Sequence, residues 1–542
     1  MSISYEPNVG LIKALITNST TTSLLLLLVT SLLFYFLYQD IIRKPKTLPP
    51  GPKPWPVVGS LPELYRNKPL FRWVLDLPKN TPLRVACVRL GGTHVIVVDN
   101  PAIAREFLKK NDATFAMRPA TLATEHATGF LTAGLNMWGE QWKKMKKVLA
   151  SEVLSPARFK WLTNKRIEEA DNLVRYIYNQ CKAESGEGLI NVRVAVRQYS
   201  GNFIRRIIFN KRYFGEGRED GGPGKEEVEH VDALFRVLSL MYSFCVSDYL
   251  PWLRRFDLNG HEKAVKAAVA VVNKYHDPII EERIRWWRGV SGGSPPPPRE
   301  PEDLLDVLVS IRGDDGKWLL SEEEIKAQAA ELMYATIDNS AQALEWALAE
   351  MLNQPHLLEK ATAEIDRVVG KHRLVDESDM PNLTYITACA RECLRLHPVA
   401  PFNLPHVAMS DATVAGFTIP MGSHVLLSRV GLGRNPDVWD DPMKFDPGRH
   451  LGEDGSGEVD LTDPELRLLS FSTGRRGCMG VQLGTAMTVV LFGRMIQCFE
   501  WSVPSGMDGV VDLAEEKNSL FLAKELELHA RPRLDDVGLY MK

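Results

Sequence analysis

A lone cysteine near the carboxyl end has the surroundings of a metal ligand. Cys478 lies in a glycine-rich segment, and an apolar helical run follows from Leu483 to Met495. A thiolate at the start of a helix gains from the helix dipole and from unpaired amide groups, which lower the pKa of the thiol. No CxxC pair or pair of histidines lies nearby in the sequence, which disfavours tetrahedral zinc. One thiolate suits the axial position of haem iron.

A second polar group lies inside a long helical pattern. Ser321 and Glu324 have the spacing of a capping box, so the sequence predicts one helix from Ser321 to Asn353, about 33 residues or ~50 Å long. Asp338, Asn339 and Ser340 interrupt its apolar residues. Buried polar groups cost free energy unless they are paired, which favours a chemical role. A solvated turn on an amphipathic helix is the alternative.

The amino end predicts a membrane anchor. From Ala14 to Gln39 there is no charged residue, and this length crosses a ~30 Å hydrocarbon layer. The apolar core is not followed by the small-residue cleavage site of a signal peptide. Arg43, Lys44 and Lys46 follow the segment, so the positive-inside rule predicts that the rest of the chain is cytosolic. A buried core helix is the alternative interpretation.

Composition limits the function classes. The chain has 542 residues, of which 45% are hydrophobic, and its 65 basic and 68 acidic residues give a net charge of −3. This balance argues against a dedicated nucleic-acid binder. The seven cysteines are irregularly spaced and odd in number, which indicates free thiols in a reducing compartment.

The chain divides into three parts. Residues 1–46 form the anchor and its basic flank, and residues 47–60 form a proline-rich hinge that acts as a stiff spacer. Residues 61–542 are predicted to form one mainly α-helical domain with a small β region. Strand-like segments are expected at Leu83–Leu90, Thr93–Val98, Ala415–Ile419 and Val425–Leu427.

The segment around Cys478 resembles the haem-binding loop of the cytochrome P450 superfamily, Phe-x-x-Gly-x-Arg-x-Cys-x-Gly. The five fixed positions agree with Phe471, Gly474, Arg476, Cys478 and Gly480. The resemblance implies the cytochrome P450 fold, preceded by one transmembrane helix, with haem b bound through Cys478. The anchor and hinge are typical of microsomal members, which implies a single-pass protein of the endoplasmic reticulum membrane.

Two further motifs of the superfamily occur in the expected order. Glu392 and Arg395 resemble the ExxR of its K helix, where charges at i and i+3 can pair. Arg449 matches the third member of that set, although Gly448 stands where glutamate is commoner.

The same resemblance implies contacts to the haem propionates. Trp142 and Lys146 match the C-helix Trp-x-x-x-Arg motif, with a lysine that keeps the charge but loses the bidentate fork. His406 stands where the family often has a basic residue for the second propionate, and Arg476 is a third candidate. Lys143, Lys144 and Lys147 form either a solvated helix face or a docking patch for a reductase.

Asp338 and Asn339 replace the acid–alcohol pair of most members, and this resembles the plant amino-acid N-monooxygenases that form aldoximes. That family implies two hydroxylations of the α-amino nitrogen of an L-amino acid, followed by dehydration and decarboxylation. O2 is the oxidant, and electrons come from NADPH through NADPH–cytochrome P450 reductase. Ser340 stands where the family usually has proline.

Within this resemblance, Asp338, Asn339 and ordered water are candidates for proton delivery, with Ser340 as a substitute hydroxyl. Arg118 or His126 is the candidate partner of the substrate carboxylate. The candidate pocket residues are Phe402, Asn403, Leu404, Leu520 and Phe521. An apolar pocket suits phenylalanine, tyrosine, valine, isoleucine or chain-extended methionine, since one methylene changes selectivity by only ~1–3 kcal/mol.

Three alternatives remain open. The first is a carbon-hydroxylating plant cytochrome P450. The second is a non-oxygenating haem-thiolate isomerase or dehydratase, which the missing threonine hydroxyl suggests. The third is a non-enzymatic membrane haem carrier, which the polar cluster in the central helix disfavours.

Overall fold

The structure is a computed structural model that describes residues 47–183, 188–289, 300–452, 457–504 and 509–542, and a few residues between Ser23 and Ser31. Apart from those few residues, the expected anchor, Ala14–Gln39, lies outside the described residues. Its basic flank lies outside them as well. Helices predominate, and three small sheets lie among them. This agrees with the predicted mainly α-helical domain with a small β region.

The described helices, in chain order, are α1 Leu61–Arg66, α2 Leu70–Asp76, α3 Pro101–Arg105, α4 Leu122–Thr128, α5 Glu140–Val148, α6 Pro156–Trp161, α7 Thr163–Ala183, α8 Val192–Phe209, α9 Lys225–Met241, α10 Val246–Tyr249, α11 His261–Arg288, α12 Leu304–Ser310, α13 Glu322–Thr336, α14 Asn339–Leu352, α15 Pro355–Val368, α16 Thr384–Leu396, α17 Arg429–Gly433 and α18 Val481–Cys498. The strands are β1 Val85–Leu90, β2 Thr93–Val98, β3 Gly188–Asn191, β4 His406–Val407, β5 Ala412–Val414, β6 Phe417–Ile419, β7 His424–Leu427, β8 Phe499–Ser502 and β9 Glu527–Pro532.

The core is built on α7, α8, α14 and α18, which pack against one another. Helix α14 is buried along nearly its whole length, and Trp346 is fully enclosed. Arg193 of α8 donates from Nε to both carboxylate oxygens of Glu345 at 2.9 Å. Because both partners are buried, this pair satisfies two charges that would each be costly alone.

The largest sheet has the order β1-β2-β7-β4, with β2 parallel to β7 and the other neighbours antiparallel. The prediction for Thr93–Val98 is confirmed. The first strand begins at Val85 instead of Leu83, after Arg84 with a φ of 53°. The segment Ala415–Ile419 was predicted as one strand; it instead contains the turn between β5 and β6, because Ala415 has a positive φ of 50°.

The capping box of Ser321 and Glu324 is present, but the single long helix is wrong. The helix ends at Thr336 as α13 and resumes at Asn339 as α14. At the break, the Thr336 hydroxyl donates to the Leu332 carbonyl at 2.8 Å and the Asn339 amide donates to the Ala335 carbonyl at 2.7 Å. Side chains that bond to helix carbonyls one turn back accompany such bends.

In the part of the chain that the structure describes, one helix is long and apolar enough to cross a membrane. This helix is α18, and 72% of its length is buried inside the fold. It is therefore a core helix of the domain, and it has no bearing on the anchor predicted at the amino end.

Candidate functional site

The loop that carries Cys478 is fixed by its own backbone. The Cys478 N–H donates to the Phe471 carbonyl at 2.8 Å. Gly474 has a φ of 76°, and a Cβ there would lie 2.6 Å from the Leu108 carbonyl oxygen, so this turn requires glycine. The Phe471 ring packs over Gly484, where a Cβ would approach it to 3.1 Å.

Cys478 has the only exposed side chain among the seven cysteines, all of which lie in described segments and are free thiols. Helix α18 begins at Val481, so Cys478 precedes the helix. The protein around the sulfur desolvates it and raises the pKa of the thiol, while the Gly480 N–H and Arg429 lower it. The expected net lowering of the pKa is therefore wrong, because desolvation outweighs the two opposing effects.

Arg476 is buried next to this loop. Its guanidinium donates to the backbone carbonyls of Ala116 (2.6 Å), Ala133 (3.3 Å) and Asn136 (2.9 Å). The guanidinium carbon also lies 4.6 Å from the ring centre of Trp142, which is itself buried. Burial lowers the pKa of Arg476 to about 10, and the charge of Glu331 opposes that shift.

His406 is a second buried basic group, at the start of β4. Its Nδ1 lies 2.7 Å from the Phe115 carbonyl oxygen, to which it donates in the corresponding tautomer. Its Nε2 is buried and has no partner within the described ranges. Burial, with a contribution from Arg118, lowers the pKa of His406 to about 3, so the ring is neutral in the absence of an anion.

Arg118 completes what we call the basic cluster: Arg118, His406 and Arg476. Its guanidinium donates to the carbonyls of Leu404 and Pro405 at 2.6 and 2.9 Å. Burial and the charge of Arg476 lower the pKa of Arg118 to about 9. The charge of Arg476 acts on Arg118 and on His406, and the charge of Arg118 acts on His406, so the three groups lie near one another. Such a cluster is suited to bind an anion.

Lys146 lies at the edge of this region. Its Nζ donates to the Arg475 carbonyl at 2.9 Å and lies 4.9 Å from the ring centre of Trp142. The Arg475 side chain pairs with Asp112 at 2.7 Å, which ties the cysteine loop to the segment after α3. The Lys146 ammonium is thus bound to the loop backbone, and its expected contact with a propionate remains a prediction.

Glu392 is the centre of a buried ionic network. Its carboxylate accepts from Arg395 at 2.7 and 2.8 Å and from Arg449 Nε at 3.0 Å, so the three residues of the ExxR set do meet. His450 Nε2, at 2.8 Å, is a further partner that the sequence did not indicate. Burial opposes ionisation, but the bonds from Arg395 and His450 hold the pKa of Glu392 at about 2.

Helices α13 and α14 are mostly buried, but a few residues at the break between them are exposed. Ala335 and Asn339 are exposed and Thr336 is partly exposed. Asp338 is buried, and its Oδ1 has no partner within the described ranges. Burial raises the pKa of Asp338 to about 7, although the charge of Arg197 opposes the shift.

Ser340 does not share this environment. It is buried, and its hydroxyl bonds to the Thr488 hydroxyl of α18 at 2.9 Å. The Thr488 hydroxyl in turn donates to the Gly484 carbonyl. The Ser340 oxygen thus joins two core helices, and its expected role as a substitute hydroxyl stays a prediction.

The structure separates the five candidate pocket residues. Phe402 and Leu520 lie in one apolar cluster. Leu404, two residues after Phe402, is partly buried. The Asn403 Oδ1 accepts from the Leu427 N–H at 2.9 Å, while its Nδ2 is buried without a described partner. Phe521 lies elsewhere, 6.3 Å from the Phe235 ring.

The two residues expected at the substrate carboxylate both have partners within the chain, and their contact with the substrate stays a prediction. Arg118 belongs to the basic cluster, where its guanidinium already binds carbonyl groups. His126 Nε2 lies 3.0 Å from Glu262, which also pairs with Arg254. Sequence reasoning missed Arg429, which influences the pKa of Cys478 and whose side chain is only partly exposed.

Comparison with known proteins identifies this arrangement. Residues 49–529 match the family model described as Cytochrome P450. The chain belongs to the cytochrome P450 family. A zebrafish cytochrome P450 crystallised with progesterone has the same fold, with a TM-score of 0.68 and 24% identity over 86% of this chain and all of the other.

Closer relatives of this cytochrome P450 are plant enzymes. It is 55% identical to a tyrosine N-monooxygenase of Sorghum bicolor, over 90% of this chain and 86% of the relative. It is 54% identical to a tryptophan N-monooxygenase of Prunus mume, over 90% of both chains. Relatives named for valine, from Manihot esculenta, and isoleucine, from Lotus japonicus, are 52% and 53% identical over 90% of this chain and 88% and 90% of theirs.

The residues present fit the haem of this family. Cys478 offers the one exposed thiol, and the basic cluster offers cationic groups for two carboxylates. The orphaned Nε2 of His406 is a buried nitrogen that a propionate oxygen would satisfy.

Replacement of Glu392 tests the ionic network. We expect Glu392→Gln to destabilise the protein by ~3–5 kcal/mol, because it leaves Arg395 buried without its counter-charge. Urea denaturation of the haem protein, followed by loss of the haem absorbance, measures this change. Glu359→Gln, at an exposed position of α15, is the matched control and should leave stability unchanged.

The pH dependence of stability follows from the same carboxylate. Its pKa falls from 4.5 to about 2 on folding, so its contribution is complete above pH 4.5 and is lost as the pH falls towards 2. An unchanged acid limb in Glu392→Gln would contradict this role.

Proposed function

We propose that this cytochrome P450 is an amino-acid N-monooxygenase that converts an L-amino acid into the corresponding aldoxime. The observation that carries the proposal is identity of 52–55% over 90% of the chain to relatives named as N-monooxygenases of four amino acids. In this reaction the α-amino nitrogen is hydroxylated twice, and water and CO2 are then lost.

Cys478 is the proposed iron ligand, and the loop geometry supports it. Gly480 lies beside the sulfur, since a Cβ on Gly480 would be 3.8 Å from it, and the Phe471 carbonyl accepts from the Cys478 N–H. The basic cluster and Trp142 are the proposed partners of the haem propionates. A propionate beside His406 would favour the protonated ring, and so would raise the pKa that burial now lowers.

The bound haem supplies oxygen activation, and the chain's own residues supply protons and exclude water. Asp338 is the proposed proton donor, since it is buried, has an unpartnered oxygen and has a pKa of about 7. A group with this pKa gives and regains a proton readily near neutral pH. The Asn339 amide keeps the helix open beside it through its bond to the Ala335 carbonyl.

The remaining partners are proposed from the amino-terminal sequence and the surface charge. Residues 14–39 would anchor the protein in the endoplasmic reticulum membrane, with the catalytic domain on the cytosolic side. Lys143 and Lys147 are exposed on α5, which supports a docking patch for NADPH–cytochrome P450 reductase. Lys144 pairs with Glu324 at 2.7 Å and is committed to the fold.

Turnover with a panel of L-amino acids tests the proposed function. The full-length protein, reductase, NADPH and O2 should convert at least one of tyrosine, tryptophan, phenylalanine, valine and isoleucine into its aldoxime, detected by mass spectrometry. Omission of reductase is the control and should abolish the product. Hydroxylation on carbon alone across the panel would refute the proposal.

Replacement of Cys478 tests the iron ligand. We expect Cys478→Ser to remove the reduced-CO absorbance band that reports thiolate ligation, because an alcohol oxygen does not replace the donating sulfur. Cys87→Ser, at a buried cysteine of the sheet, is the control and should keep the band. Survival of the band in Cys478→Ser would overturn the assignment.

Replacement of Asp338 tests proton delivery. Because its pKa is about 7, Asp338 is protonated below that pH, so wild-type turnover should fall as the pH rises through 7. Asp338→Asn should lower kcat by ~10²–10⁴-fold and flatten this limb. Measurement of kcat and KM from pH 6 to about 9 separates the proton role from loss of substrate binding. An unaltered pH limb would exclude Asp338.

A further inference from the structure

Arg429 is an arginine whose charge the fold leaves unsatisfied. Its Nε is buried without a partner, and its side chain has no hydrogen bond or ion pair within the described ranges. Burial lowers the pKa of Arg429, and the neighbouring Tyr242 and Cys478 oppose the shift. A desolvated guanidinium with no acceptor costs free energy, so a native fold that keeps one has a use for it.

Arg434, five positions further along the chain, has the partners that Arg429 lacks. Arg434 follows at the end of α17, and its guanidinium donates to the Leu396 carbonyl at 2.9 Å and to Glu515 at 2.5 Å. The same short helix therefore ends beside a paired arginine and begins with an unpaired one. The difference is specific to the position of Arg429 and does not reflect a general shortage of acceptors.

The backbone fixes Arg429 beside the candidate pocket. The backbone N–H of Arg429 donates to the Pro401 carbonyl at 3.0 Å. The neighbouring residues Phe402 and Ser428 form an antiparallel β-bridge. Asn403, the next residue, contributes another buried donor without a described partner, its Nδ2. Arg429 Nε and Asn403 Nδ2 are thus two donors without a described partner on adjoining chain segments next to Phe402.

The phenol of Tyr242 lies near charges of both signs. Burial and the charge of Asp338 raise its pKa, and the charges of Arg429 and Arg118 oppose the rise. Arg118 donates to backbone carbonyls, whereas Arg429 has no described acceptor, and Asp338 Oδ1 also lacks a described partner. This polarity matches a molecule with a carboxylate at one end and an amine at the other.

We propose that Arg429 binds the α-carboxylate of the amino-acid substrate, with Asn403 Nδ2 as an additional donor. A guanidinium offers paired N–H groups that match the two oxygens of a carboxylate. This contact would orient the substrate so that its amine, and not its side chain, faces the reacting centre. The inference rests on the proposed function and deepens it by naming the group that recognises the substrate class.

Binding of a matched pair of ligands tests the inference. L-tyrosine and L-tyrosinamide differ only in that a neutral amide replaces the carboxylate; L-tryptophan with its amide, and L-valine with its amide, serve if the panel favours those acids. Equilibrium dialysis against the full-length haem protein should show that the wild type binds the acid ~10–100-fold more tightly than the amide.

Substitution of Arg429 should remove this discrimination. Arg429→Met should bind the acid and the amide equally, and Arg429→Lys should retain part of the preference because it keeps the charge. Arg285→Met, at an exposed position of α11, is the matched control and should behave as the wild type. Haem content and the reduced-CO band should be unchanged in all three variants.

Two results would overturn the inference. One is an Arg429→Met protein that still prefers the acid by the wild-type factor. The other is loss of haem from that variant, which would make Arg429 a cofactor group. Failure of the proposed function is distinguished from both, because it appears as absence of oxime from the wild type across the panel.

Discussion

Uncompensated positive charge in a desolvated site is the constraint on which the functional region depends. The charge of Arg476 lowers the pKa of Arg118 and of His406, and burial lowers the pKa of all three groups. Glu331 is the buried carboxylate that offsets this charge, and it is already bound to the Thr132 hydroxyl at 2.5 Å. Dianionic haem would supply the missing negative charge, so binding of the cofactor and stability of this region are linked.

The Glu392 network differs from the basic cluster because it contains its own buried carboxylate. There one buried carboxylate receives bonds from Arg395, Arg449 and His450, and both guanidinium groups also donate to backbone carbonyls, so the fold itself satisfies these donors. The contrast explains why the two groups of charged residues differ in function. A network whose donors are satisfied within the chain fixes the backbone, whereas a cluster that keeps an unpartnered nitrogen, His406 Nε2, can bind a group from outside.

Sequence patterns predicted the features that depend on neighbours along the chain. The capping box at Ser321, the glycine turn before Cys478 and the i,i+3 pair at Glu392 are all local. Of the features that depend on distant residues, the contact of Arg449 with Glu392 was predicted through the family resemblance, and others were missed. His450 joins Glu392 across 58 positions, and the buried state of Asp338 and the unpaired state of Arg429 emerge only from tertiary packing. The helix break at Asp338 was missed because its polar residues bond locally while the apolar periodicity continues.

In the proposed reaction, recognition of the amino-acid backbone and selection of its side chain fall to different parts of the site. Arg429 would hold the carboxylate that every amino acid shares, and an unpaired buried charge discriminates strongly against ligands that lack this group. The apolar cluster with Phe402 and Leu520 would meet the side chain, where one methylene is worth only ~1–3 kcal/mol. Relatives of similar identity are named for both aromatic and aliphatic amino acids. Such a division accounts for that spread, because small apolar changes can redirect selectivity while the charged groups stay fixed.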